Sequence, residues 1–157
     1  MDVHIEREIN APAEKVWEIL AHQFGNMANW TATLSESRAV DASQYPEFKA
    51  ASTAPVPARE TTSSFAQAIE IITEYSEEEM QLTFDAVGLP PFMSSARNTQ
   101  RVVAQGPDKS VISFDFRIGL KHVFNIMSPL VKRRFGKTMG GVQRELKFYA
   151  ETGEPAV

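Results

Sequence analysis

The sequence predicts an α+β domain in which a curved antiparallel sheet of about seven strands wraps around a long C-terminal helix. Three observations carry this prediction. Apolar and polar residues alternate in several short segments, as in strands with one buried face. These segments follow one another through short turns, which requires antiparallel pairing. From Phe124 to Tyr149, apolar residues recur every three or four positions and form one helical stripe.

The N-terminal segment combines a strand with a helix. Apolar residues alternate up to Ile9, and Arg7 breaks the pattern because it falls on the buried face. We expect Arg7 either to snorkel past the strand edge or to pair with a buried acid. Pro12 then favours a helix start, since its missing N–H costs nothing in the first turn. Gly25 follows the last helically spaced apolar residue and ends this helix.

The middle of the chain predicts further strands. Residues 41–58 are rich in proline and small polar residues and predict a loop, with room for a short strand inside it. Alternating or β-branched patterns bounded by polar turns then indicate successive strands. The strand segments are 34–40, one that starts near Arg59, 68–75, 80–86, 99–104 and 111–118.

The C-terminal helix has two possible starts. Ser128-Pro129 favours a cap and first-turn proline near residue 129, whereas the apolar spacing also permits a kinked helix that begins near 121. Gly140-Gly141 is unfavourable in mid-helix and suggests a bend or a close neighbour. Residues 1–150 are expected to form a single domain, followed by a flexible tail at 151–157.

Composition excludes several classes of protein. The 157 residues contain no cysteine, which excludes disulfides and thiolate chemistry. The N-terminus shows no secretory pattern and the apolar runs are short, so we expect a cytoplasmic protein without a membrane-spanning segment. The net charge is −4, but residues 121–147 carry seven basic residues and one acid. This stretch indicates either a helix beside an acidic sheet or a phosphate or membrane-surface patch, whereas nucleic-acid binding is not expected.

The predicted order of elements leaves space inside the fold. A helix of about 20 residues is roughly 30 Å long and 10 Å wide, so it does not fill the concave face of a seven-stranded sheet. The remaining space is either packed with side chains or left as a pocket. Ten phenylalanines and six methionines suit both outcomes, and methionine adapts to irregular ligands. The expected partner is therefore a hydrophobic small molecule.

The opening segment IEREINAPAEKVWEIL, with Trp30 after it, resembles the START-like (SRPBCC) superfamily, which includes polyketide cyclase/dehydrase, lipid-transfer and birch-pollen-allergen-like proteins. Arg59, the segment 70–75, Phe84 and Gly88-Leu89-Pro90 resemble the family's middle pattern. The resemblance implies the helix-grip fold and a hydrophobic cavity between the sheet and the C-terminal helix. Ser76 and the proline-rich stretch 41–58 depart from the family pattern, which bears on the cavity mouth more than on the fold.

Arginines and aromatic residues are the candidate ligand contacts. The resemblance implies that Arg59 reaches the cavity and anchors a carboxylate, phosphate or enolate; the alternative is an ion pair with Glu70 or Glu74. Arg101 is a weaker candidate of the same kind, and Trp30 is expected near the pocket entrance. Apolar residues on the inward stripes complete the set: Phe84, Phe114, Phe116, Met127, Val131 and Phe135.

The sequence shows no catalytic constellation. The three histidines have no ligand partner at a suitable spacing, so neither a metal nor a cofactor is expected. Tyr75, Tyr149 and Glu70 are candidate proton donors without a paired arrangement. Three functions stay open: a carrier of a lipid, polyketide or quinone-like molecule, a cyclase/dehydrase-type enzyme, and a protein-interaction module. The ligand and the oligomeric state are not predicted.

Overall fold

The computed structural model describes residues 1–64 and 66–156, which form a curved, seven-stranded antiparallel sheet with helices on its inner face. The order across the sheet is β1-β7-β6-β5-β4-β3-β2. This is the predicted helix-grip α+β fold. The strands are β1 (Asp2–Ile9), β2 (Glu36–Ala39), β3 (Ala58–Thr62), β4 (Gln67–Ser76), β5 (Gln81–Val87), β6 (Met93–Ala104) and β7 (Ser110–Leu120).

The N-terminal helical region consists of three short pieces. Helix α1 (Ala13–Trp17) continues into a π-helical turn (Glu18–His22), and a 3₁₀ segment (Phe24–Asn29) follows. Gly25 is required in this segment, because a Cβ at that position would come within 2.7 Å of the Ala39 amide nitrogen on β2. The 3₁₀ segment therefore lies directly against the β2 edge of the sheet.

The C-terminal helix α2 (Ser128–Thr152) begins one residue before the predicted Pro129, so the shorter of the two predicted helices is correct. A 3₁₀ turn (His122–Met127) precedes it. The helix ends at Gly153, whose φ of 77° places it in the left-handed region that favours glycine. It thus extends two residues past the predicted boundary at 150, while Val157, the last residue of the predicted tail, lies outside the described residues.

Polar contacts anchor the C-terminal half of α2 to the sheet. Gln143 donates to the Ile5 carbonyl at 2.9 Å, and Lys147 donates to the Glu8 carbonyl at 3.2 Å. Arg7 donates to the Gly140 carbonyl at 3.4 Å, and within the described residues it pairs with no acid. Neither predicted environment of Arg7 is therefore found, because a helix carbonyl takes the place of the carboxylate.

The inner face of the sheet carries the core. Alternation on β1 and β7 pairs Val3 with Phe116 and Ile5 with Phe114, so these side chains share the inner face. The same register continues through Gln100 on β6. The largest fully buried side chains include Trp17, Phe24, Phe114, Ile72, Leu82, Ile112, Ile118 and Leu146.

Candidate functional site

A small internal cavity lies between the inner face of the sheet and the N-terminal helical region. Its volume is about 10 Å³, which is space for about one water molecule. Within the described residues no side chain of α2 lines it. This position differs from the expected one between the sheet and the C-terminal helix. The lining residues are Ile19, Leu20, Gln23, Met27, Trp30, Arg59, Gln100 and Phe114.

Arg59 is the charged residue at this cavity. It lies on β3, directly opposite Glu70 on β4, and only 5% of its surface is exposed. Its Nε donates to Glu70 Oε2 at 2.5 Å, and an Nη1 group donates to the Phe24 carbonyl at 3.0 Å. The guanidinium carbon also lies 3.9 Å from the centroid of the Phe24 ring. The ion pair that the sequence offered as an alternative is therefore present, and it coexists with a position at the cavity.

The contacts of Arg59 leave part of its hydrogen-bonding capacity free. A guanidinium group has five N–H donors, and the described contacts of Arg59 use two of them. Burial without a partner would be costly for such a cation, and the Glu70 carboxylate offsets that cost. Arg59 is thus held in place by two acceptors and can donate to a third with its remaining N–H groups.

Two neutral polar side chains accompany Arg59. Trp30 ends the 3₁₀ segment, is 3% exposed, and its indole N–H has no partner within the described residues. Gln100 on β6 is 5% exposed and lines the same cavity. A buried donor without an acceptor is uncommon in native proteins and calls for an explanation such as a water or a ligand. The cavity is the space next to Trp30 in which an acceptor would fit.

The structure brings three of the nine predicted site residues to the cavity: Trp30, Arg59 and Phe114. Phe84 is buried behind them, with its ring in edge contact with Phe24 at 5.7 Å. Phe116 and Phe135 also form an edge contact, at 4.7 Å, which joins β7 to α2 away from the cavity.

The other three predicted site residues, Arg101, Met127 and Val131, do not line the cavity either. Arg101 follows the inward-facing Gln100, so the alternation of β6 places it on the outer face, where it is exposed. Met127 is 45% exposed, because it lies in the turn before α2 rather than on the packed stripe. Val131 is half-buried on α2 and does not line the cavity.

Five lining residues were not predicted from the sequence. Ile19, Leu20, Gln23 and Met27 belong to or adjoin the π-helical and 3₁₀ pieces, whose periods differ from that of an α-helix. A helical wheel drawn through this region therefore misplaces them. Gln100 carries a signal that was available, because it is the inward neighbour of an arginine on an alternating strand.

The candidate proton donors do not meet at the cavity. Tyr75 stacks against Trp17 with ring centroids 5.6 Å apart, and its hydroxyl donates to Glu77. Burial, together with that hydrogen bond, raises the pKa of Tyr75. Tyr149 is half-buried on α2 and does not line the cavity. Glu70 does not line it either, but Glu70 forms an ion pair with Arg59, which does.

A larger depression of about 570 Å³ lies mainly on the outer face of the sheet. Its side chains include His4, Asp115 and Arg117, which are from 55% to 80% exposed. Water screens charges at such positions, so they offer a ligand little binding energy. In the part of the chain that the structure describes, no three His, Asp or Glu side chains form a metal-ligand group. No described helix is long and apolar enough to span a bilayer.

The chain is similar in sequence to one protein family and in fold to many solved structures. The family model described as "Polyketide cyclase / dehydrase and lipid transport" matches residues 1–147. No curated protein matches the chain. Among solved structures, a START superfamily protein from Mycobacterium smegmatis is 16% identical with a TM-score of 0.77, over 96% of this chain and 97% of that one.

Two further structures share the fold at low identity. A protein from Thermus thermophilus, TTHA0849, is 13% identical, with a TM-score of 0.74 over 96% of this chain and 97% of that one. Truncated norcoclaurine synthase from Thalictrum flavum is also 13% identical, with a TM-score of 0.68 over 97% of this chain and 94% of that one. At such identities these likenesses concern the fold alone.

Proposed function

Because this chain belongs to the polyketide cyclase / dehydrase and lipid transport family, we propose that it binds a small hydrophobic molecule with one hydrogen-bond-accepting group at the Arg59 cavity. Lipids, polyketides and quinone-like molecules all have this character. Family and fold support a START/SRPBCC-type ligand-binding domain in general.

One observation supports the proposed site most strongly. An indole N–H without a partner and a guanidinium group with free donors line the same cavity, at Trp30 and Arg59. Ligand sites typically combine apolar walls with a few well-placed polar groups. A carboxylate, phenolate or carbonyl oxygen between these two donors would satisfy both. The apolar part of the ligand would then contact Leu20, Met27 and Phe114.

Ligand entry requires the cavity to expand. Sites for small molecules usually measure about 300–1,000 Å³, far more than the 10 Å³ present here. Met27 and Gln23 are the half-buried members of the lining, and both lie in the irregular helical region. We expect these two side chains to move first, because their part of the chain lacks the full hydrogen bonding of a long α-helix.

A matched pair of ligands tests this proposal. The intrinsic tryptophan fluorescence of the protein, to which Trp17 and Trp30 both contribute, would be titrated with a long-chain carboxylic acid and with the amine of the same chain length. The proposal predicts saturable one-to-one binding of the acid and much weaker binding of the amine, since Arg59 repels a cation. A naphthoquinone provides an uncharged acceptor of different shape. Equal binding of acid and amine, or binding of none of the three, would contradict the proposal.

The Arg59–Glu70 pair also favours a second candidate function, a cyclase/dehydrase-type enzyme. Glu70 would remove a proton from the carbon beside a carbonyl, and an Arg59 N–H would stabilise the enolate oxygen that results. In deuterated water, a bound 1,3-diketone would then incorporate deuterium at that carbon faster than in buffer. Glu70→Gln would abolish this exchange. A diketone that binds without accelerated exchange would contradict the enzyme function and leave only the carrier function.

A further inference from the structure

An apolar patch protrudes from the surface at the start of the C-terminal helix. It consists of Val123, Ile126, Met127 and Leu130, which are 79%, 88%, 45% and 53% exposed. Among the described residues, four of the six exposed large apolar side chains therefore lie within eight consecutive positions. Clusters of this kind mark interaction surfaces, whereas single exposed apolar residues do not.

The local backbone holds these side chains outward. In the 3₁₀ turn, Phe124 packs edge-on against Phe92 at 6.3 Å, and the Lys121 amide donates to the Phe92 carbonyl at 3.0 Å. A 3₁₀ helix has three residues per turn, so Val123 and Ile126 share one side of it. Because Phe124 occupies the side that faces the domain, Val123 and Ile126 face away from it. The exposure of the patch thus follows from a packed anchor and not from a loose loop.

Four cations adjoin this apolar patch, and there is no acid between Lys121 and Lys137: Lys121, Arg133, Arg134 and Lys137. All four are exposed. Within residues 1–64 and 66–156 none of them forms an ion pair. The sheet and the rest of the chain carry the compensating negative charge elsewhere.

We propose that this surface docks the protein on an anionic lipid bilayer, with the apolar patch inserted among the acyl chains and the four cations at the headgroups. Interfacial helices combine these two features, apolar side chains for insertion and basic residues for anionic lipid. Each cation near such a surface contributes about 1 kcal/mol of attraction. A bilayer supplies both an apolar interior and a dense layer of anions, which matches both parts of the surface.

A second copy of the chain fits this surface poorly. A symmetric dimer places the same patch on both partners, so it would bring two sets of four cations together. Charged residues, lysine above all, are also depleted from the cores of protein interfaces. Charge complementarity therefore favours the bilayer as the occupant of this face.

Vesicle sedimentation tests the proposal. Vesicles of phosphatidylcholine with about 30 mol% phosphatidylserine should bind the protein, whereas pure phosphatidylcholine vesicles should bind it much more weakly. The double variant Arg133→Gln/Arg134→Gln should weaken partition about thirtyfold, and Ile126→Gln about tenfold. All three positions are exposed, so neither variant should unfold the domain.

Matched controls separate this surface from general charge and hydrophobicity. Lys15→Gln/Lys49→Gln removes the same charge at sites elsewhere on the domain, and Val103→Gln replaces an apolar residue that is 46% exposed on β6. Both controls should bind vesicles like the wild type. Absence of binding to anionic vesicles, or equal losses in the controls, would overturn the proposal. A dimer in light scattering that Ile126→Gln dissociates, without vesicle binding, would instead assign the patch to self-association.

Discussion

Arg59 on β3 and Glu70 on β4 form a cross-strand ion pair on the inner face of the sheet, with 2.5 Å between Arg59 Nε and Glu70 Oε2. The side chains are 6% and 18% exposed. The pair fixes one side of a buried guanidinium group beside a cavity, and it leaves other N–H donors of the same group free. This arrangement links the stability of the domain to its proposed binding site.

The buried pair should contribute strongly to stability. Glu70→Gln leaves the Arg59 cation buried without a counter-ion, so we expect the free energy of unfolding to fall by about 2–3 kcal/mol in urea denaturation. Glu60→Gln is the matched control, because Glu60 is 21% exposed but pairs with Arg38, which is 68% exposed. That control should cost less than about 1 kcal/mol. Equal effects of the two substitutions would show that burial of Arg59 carries no special penalty.

Trp30 should contribute hydrogen bonding to a ligand as well as apolar area. Trp30→Phe keeps an aromatic wall but removes the unpartnered N–H, so it should weaken binding of an acceptor-bearing ligand about tenfold. Trp17→Phe removes a second buried indole that does not line the cavity, and it should leave the affinity unchanged. Isothermal titration of both variants checks this prediction. The prediction would be contradicted if both variants lost affinity in proportion to their loss of stability.

Two glycines of the helical regions should respond to alanine in opposite directions. A Cβ at Gly141 would have its nearest neighbour at 3.6 Å, in the flexible Arg144 side chain, so Gly141→Ala should stabilise the protein by about 1 kcal/mol. Gly25→Ala should destabilise it, since the added carbon would lie 2.7 Å from the backbone of Ala39. Thermal unfolding of the two variants gives both signs in one experiment. A loss of stability in Gly141→Ala would contradict this prediction, because it would mean that the added Cβ clashes with a neighbour closer than 3.6 Å.

The outer face should carry a small pH-dependent contribution to stability. The hydrogen bond between His4 Nδ1 and Asp115 Oδ1, at 2.5 Å, raises the pKa of His4 more than burial lowers it, and the charges of Asp115 and Glu6 add to this effect. The stabilisation is therefore complete below the ordinary histidine pKa of about 6.5 and is lost as the pH rises through the raised pKa. Both side chains are 55% exposed, so the contribution should stay below about 1 kcal/mol.

Substitution of His4 checks the sign of this dependence. The difference in unfolding free energy between wild type and His4→Gln should be largest near about pH 5 and should shrink toward about pH 9. NMR titration of the His4 ring gives its pKa directly. A difference that grows with rising pH, or a pKa below that of a model histidine, would contradict the assignment.

The fold was predictable because its main signals are local. Alternation on β1 and β7 assigned their buried faces correctly, and Pro129 placed the start of α2 within one residue. Strand β6 begins at Met93, six residues before the predicted Thr99, because pairing with β7 extends it through a segment without a strand pattern. Pairing between distant segments is the part of the fold that a local pattern does not contain.

The site was only partly predictable, for a related reason. Arg59 and Trp30 were identified by resemblance, and both reach the cavity. Arg101 was predicted because of its charge, but its inward-facing neighbour Gln100 lines the cavity instead. The π-helical turn shifts the faces of the N-terminal region, so the spacing of Leu20 and Met27 gave no sign that they converge. The apolar stripe was likewise extended back to Met127, which is exposed because it precedes the packed part of α2.

Native mass spectrometry of freshly purified wild-type protein, followed by organic extraction, tests most directly whether the Arg59 cavity holds a ligand. We expect a bound apolar species of defined mass that carries an oxygen acceptor and that Trp30→Phe retains less well than Trp17→Phe. We also expect the extracted species to bind again, saturably, to protein from which it has been removed. A bare protein that gains no thermal stability from fatty acids, quinones or aromatic polyketides would contradict the claim that the Arg59 cavity is a ligand site.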